Sequence, residues 1–77
     1  MTLDKLGKGR PAKVVAVDGS DASMEAKLRE IGFAEDDRVS IVHLGPFGKK
    51  PICVRLNETL IALRVAEAAI IHVEPVA

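Results

Sequence analysis

The segment Ala22-Ser23-Met24-Glu25-Ala26-Lys27-Leu28-Arg29-Glu30-Ile31-Gly32-Phe33 decides the reading of this chain. It is the one long stretch whose apolar residues recur near every 3.6 positions. Met24, Leu28 and Ile31 fall at i, i+4 and i+7, which predicts a helix with a single apolar stripe over residues 22–31. Ser20 or Asp21 can cap its first turn. Glu25 and Arg29 are spaced for an i,i+4 pair on the wet face. Gly32 stops the helix, because a left-handed C′ residue is cheap only for glycine. Phe33 then falls at the position that folds back on Leu28, which gives this aromatic a structural task.

Outward from the helix, the period drops to two on both sides. Residues 12–17 predict a first strand, with Ala12, Val14 and Ala16 on one face and Lys13, Val15 and Val17 on the other. Asp18-Gly19-Ser20-Asp21 is a turn signal. Before it, Thr2 to Leu6 reads as one helical turn capped by Thr2, with Leu3 and Leu6 on one side. Beyond the helix, Ala34 to Asp37 is an acidic turn. Residues 38–44 predict a second strand, with Val39, Ile41 and His43 on one face and Val42 and Leu44 on the other. Gly45 to Pro51 has the composition of a loop. A third strand is expected over 52–56, and Asn57-Glu58 connects it as a hairpin to a fourth over 59–63. Arg64 to Ala69 reads as a short helical turn, and residues 70–73 as a fifth strand that Pro75 ends. The fold class expected is mainly β: a small closed or nearly closed barrel of about five strands, with an open five-stranded sheet carrying one helix as the alternative. The barrel carries one α-helix between strands 1 and 2 and short helical turns. Closure would remove exposed strand edges.

Seventy-seven residues, 48% of them apolar, bound the rest. That length predicts a single domain over 1–77. Eleven basic and eleven acidic residues cancel, and Phe33 and Phe47 are the only aromatics. A general nucleic-acid binder is basic and carries stacking platforms, so that class is set aside. The lone Cys53 forms no internal disulfide, which fits a reducing compartment. No apolar run reaches the roughly 18 residues of a membrane span, and residues 1–10 lack a signal-peptide core. The expectation is a soluble, cytoplasmic protein without membrane insertion.

Chemistry-bearing residues are sparse. Cys53, His43 and His72 are the candidate metal ligands, but none stands at the short local spacing of a zinc site. They read more readily as a small thiol and two strand-end imidazoles. A Cys–His nucleophile would need an oxyanion cradle that no segment marks, so the chain is not expected to be an enzyme and needs no cofactor. Gly45-Pro46-Phe47-Gly48-Lys49-Lys50 attracts anions but lacks the phosphate-loop pattern and a following helix. It fits an interaction surface better, with Lys49 and Lys50 beside Phe47; Phe47 itself reads equally as a partner anchor or as an inward plug of one end of the barrel. Lys27 and Arg29 on the exposed helix face form a second candidate partner surface. An uncovered strand edge that pairs with another copy of the chain, as a weak homo-oligomer or self-assembling module, is a further alternative.

Taken together, these segments resemble one family. They are Leu3-x-x-Leu6-x-x-Gly9, Lys27-Leu28-Arg29-Glu30-Ile31-Gly32-Phe33, Val39-x-Ile41-Val42, Gly45-Pro46-Phe47-Gly48-x-x-Pro51, Ile61-Ala62-Leu63-Arg64, Glu67-Ala68 and Ile70-Ile71-His72-Val73. In order and spacing they are similar to the ferrous iron transport protein A (FeoA) family. Two departures stand out. Lys49-Lys50 replace a single acidic residue in the loop, and Asn57-Glu58 stand where glycine is frequent. The resemblance implies an SH3-like barrel and an accessory role in bacterial ferrous iron uptake. The implied partner is the large GTPase-containing transporter FeoB, met on its cytoplasmic side. A similar barrel closes metal-dependent transcriptional repressors, which gives a metal-responsive regulatory module as the alternative; no helix-turn-helix precedes it here.

Overall fold

The computed structural model describes residues 1–19, 21–47 and 50–76, with the side chain of Phe47 left out. A 3-10 turn at Leu3–Lys5 opens the chain. It is followed by β1 (Ala12–Val17), α1 (Ala22–Ile31), β2 (Arg38–Phe47), β3 (Lys50–Leu56), β4 (Thr59–Leu63), α2 (Val65–Ala68) and β5 (Ile71–Pro75).

The five strands form one antiparallel sheet in the order β4-β3-β2-β1-β5. The expected closed barrel is therefore corrected to an open sheet, in which β4 and β5 lie at opposite edges. The middle is thinly laddered: β1 and β2 share only Ala12↔Val39 and Lys13↔Arg38. The acidic turn lengthens that ladder, with the Val14 N–H donating to the Asp37 carbonyl at 2.9 Å and the Asp36 N–H to the Val14 carbonyl at 2.8 Å. Asp36 takes φ 73° to do so.

One face of the sheet holds the core. Val14, Ile41, Ile52, Val54, Leu63, Ile71 and Val73 meet Leu28 and Phe33 from the α1 end and Leu3 and Leu6 from the N-terminal turn. Each large aliphatic buried this way contributes roughly 1.5–3 kcal/mol. Helix α1 is built as its sequence directs. The Asp21 carboxylate accepts the Met24 N–H at 3.1 Å. Gly32 ends the helix at φ 129°, and the Gly32 and Phe33 N–H groups both return to the Leu28 carbonyl.

Several local readings are corrected. Bulges reset the alternation: the register shifts between Val14 and Ala16, so Val17 joins Ala12 and Val14 inside while Ala16 is half-buried. A second shift between Ile41 and His43 turns His43 outward, away from Val39 and Ile41. Ile31 is 41% exposed, so the helix stripe narrows to Met24 and Leu28. The 45–51 loop is shorter than expected, because β2 continues to Phe47 and β3 begins at Lys50. The fifth strand starts one residue later and runs on to Pro75. The Thr2 hydroxyl does not cap its turn but bonds the Asp4 carboxylate.

Candidate functional site

Where the end of β4 turns into α2, the chain leaves a groove of about 780 Å³. Its apolar floor is Pro51, Ala62, Leu63 and Val65, and Lys50, Arg64 and Lys27 stand along its rim. Lys50 and Arg64 are exposed.

Glu67 organises this corner. Its side chain is only 6% exposed, and its carboxylate accepts the Lys27 ammonium at 2.8 Å and the Arg64 N–H at 2.8 Å. The first bond ties α1 to α2 across forty residues of sequence. The second satisfies an otherwise orphaned N–H at the start of α2. The Lys27 ammonium, and after it the Arg64 N–H, hold the Glu67 carboxyl below its ordinary value, against the opposing effect of burial. A buried carboxylate needs such partners, because an unpaired charge away from water is costly.

The residues singled out in the sequence are distributed unevenly about this groove. Lys50 and Lys27 line it, although the Lys27 nitrogen is already paired with Glu67. Phe47 closes β2 and pairs in register with Lys50. Lys49 lies outside the described residues, as do Gly48, Ser20 and Ala77. Arg29 is anchored elsewhere on α1: its guanidinium donates to the Val17 carbonyl at 3.0 Å and meets Glu25 at 3.3 Å. His43 and Cys53 are register partners on β2 and β3, so the two candidate ligands share a strand pair. His72 sits on β5, beyond β2 and β1 from Cys53. Among the described residues no three His, Cys, Asp or Glu side chains gather as a metal cluster.

Sequence reasoning missed Glu67, Arg64, Pro51 and Ala62. Glu67 did carry a signal, since it stands three residues after the first extended residue before α2, the spacing of a capping box.

The FeoA domain model matches residues 1–75. The chain belongs to the FeoA family. FeoA of Stenotrophomonas maltophilia, solved with zinc and described as a prokaryotic SH3 domain protein, is 36% identical. That match covers 96% of this chain and 89% of the other, with a TM-score of 0.85. Iron(II) transport protein A of Clostridium thermocellum is also 36% identical, over 99% of this chain and 46% of that one, with a TM-score of 0.86. A manganese-dependent transcriptional repressor, solved with manganese, reaches a TM-score of 0.88 at 21% identity and shares the fold alone. It is matched over 99% of this chain and 36% of its own length. No curated protein matches the chain. FeoA membership supports a role in ferrous iron transport, and the neighbours put the open sheet among SH3-like folds. Among the described residues, no helix is long and apolar enough to cross a membrane.

Proposed function

We propose that this FeoA protein is a cytoplasmic accessory factor of ferrous iron uptake that acts by docking on the GTPase-containing transporter FeoB rather than by catalysis. The observation that carries this reading is the family match along residues 1–75. The groove beside β4 and α2 supports it, since an apolar floor with a cationic rim suits a partner's apolar side chains flanked by carboxylates. In this reading Phe47, Lys49 and Lys50 make the principal contact, and the α1 face with Lys27 and Arg29 makes the second.

Binding of the purified chain to detergent-solubilised transporter tests it. Phe47→Ala combined with Lys49→Ala and Lys50→Ala is expected to weaken the dissociation constant about tenfold or more, as loss of an interface anchor does. An unchanged constant removes the loop from the interface, and no binding by the unaltered chain removes docking itself.

The metal-responsive alternative is favoured by one observation, the His43–Cys53 register pair. The zinc in Stenotrophomonas maltophilia FeoA is a precedent in the family. Tight anaerobic Fe(II) binding that Cys53→Ser abolishes would select that reading over docking.

A further inference from the structure

The two edges of the sheet are treated differently. The β5 edge is covered by the chain's own start: the Val73 N–H donates to the Met1 carbonyl at 2.8 Å, and Thr2 bridges His72. The β4 edge has no such cover among the described residues. Its sequence, Thr59-Leu60-Ile61-Ala62-Leu63, lacks the charge, proline or bulge that usually blunts an edge, and its register with β3 is unbroken.

The polarity of that edge follows from the hairpin. Leu56 and Thr59 flank a two-residue turn and form its hydrogen-bonded pair. Hydrogen bonding to β3 then alternates, so the N–H and C=O groups of Leu60 and Ala62 point away from β3 and into the open. The Leu60 side chain is 63% exposed, and Ala62 beside it is exposed as well.

We infer that the bare β4 edge is a self-pairing surface, on which a second copy of this chain adds antiparallel about a two-fold axis at Ile61. Register about that axis sets Leu60 opposite Ala62 of the partner copy, and Ala62 opposite its Leu60. All four outward N–H groups then find outward carbonyls. The same register places Glu58 of each copy opposite Arg64 of the other. Glu58 is the turn residue just before β4, and Arg64, just after it, keeps extended backbone at φ −79°, ψ 156°, so the two opposite charges flank the edge strand at its two ends. Neither has an ion-pair partner among the described residues. The edge is thus complementary to itself in hydrogen bonds, in apolar side chains and in charge, as a two-fold interface requires.

The inference stands apart from the docking proposal, because it needs no transporter. Arg64 and Ala62 also line the groove, so self-pairing and partner docking would draw on the same strand end. One added strand pair falls well short of a standard interface, so pairing belongs at ~0.1 mM and above.

Sedimentation and amide exchange, followed from about 10 μM to about 2 mM, test the pairing. The expected result is a dimer at the high end, with exchange at the Leu60 and Ala62 amides slowing as concentration rises while that at Ile61 stays constant. Glu58→Arg and Arg64→Glu should each weaken the dimer about tenfold by turning two attractive pairs repulsive. The double variant should restore it. Leu60→Lys, at an exposed position outside the core, should abolish it and keeps the test open if Arg64→Glu disturbs α2. A monomer throughout, or a dimer indifferent to Glu58→Arg and Leu60→Lys, overturns the inference.

Discussion

Glu67 shows how one buried charge can hold two helices in place. Its carboxylate has a charged donor on α1 and a backbone donor at the start of α2. The Lys27 ammonium and the Arg64 N–H hold its folded pKa below the ordinary value of a glutamate carboxyl, so its stabilising effect is complete above that ordinary value. The effect is lost as pH falls through the lower, folded value. Glu67→Gln keeps an acceptor for the Arg64 N–H but removes the charge that meets Lys27. This variant is expected to be about 1–3 kcal/mol less stable at neutral pH. The deficit should shrink as the pH falls through the ordinary carboxylate range, where the unfolded chain takes up its proton first, and vanish below the depressed folded value, where the carboxyl of the native protein is also neutral. Thermal unfolding of both proteins across that range checks it, and a deficit that does not change with pH would show that the ion pair contributes nothing. Lys27, read in the sequence as a free contact residue, is therefore also a structural one. It remains 56% exposed, and its stem can still border the groove.

At the scale of elements, those whose signals are local were legible and those set by a partner strand were not. Helix α1 was read at its observed bounds because its stripe, Asp21 cap and Gly32 stop all lie within its own sequence. β1 and β4 were likewise read at their full lengths. The bulges after Val14 and Ile41 were invisible, since a bulge is a mismatch between two strands and leaves no mark on one of them. The clearest failure is the 45–51 segment. Its glycines and prolines spell a loop, yet Leu44 still pairs with Ile52 and Phe47 with Lys50. Gly45 makes this pairing feasible: a Cβ there would lie 1.8 Å from the Lys50 carbonyl oxygen. Gly45→Ala must therefore push β3 away from β2. The expected cost is of order 1–3 kcal/mol, the range for overpacked sites. Urea unfolding reads it directly, and an unchanged midpoint would mean that the β2–β3 ends do not approach as closely as described. Half of the groove was legible in the same sense. Lys50 and Lys27 were singled out by charge and position. Arg64 and Glu67 acquire their roles only when α2 folds against α1, a contact that no local spacing announces.

For the molecule as a whole, the sequence suggested closure as the way to protect strand edges, and the structure uses a strap instead. The open sheet leaves β5 at one side, where Met1 and Thr2 cover it while the residues that follow send Leu3 and Leu6 into the core. The same segment therefore does two separable jobs, filling the core and occupying an edge. Leu3 is fully buried, so Leu3→Ala is expected to cost about 2–5 kcal/mol. A chain of this length has roughly 4–12 kcal/mol to lose, so this variant should fold with a clearly lowered midpoint. It keeps the Met1 backbone bonds to Val73 and so keeps the edge covered. Removing residues 1–6 takes away both functions, and it should yield a protein that aggregates on heating in addition to losing stability. Light scattering recorded alongside thermal unfolding separates the two effects. Scattering should rise for the truncated chain and stay flat for Leu3→Ala at the same fraction unfolded. Equal scattering from both would show that unfolding alone drives association and that the strap protects no edge.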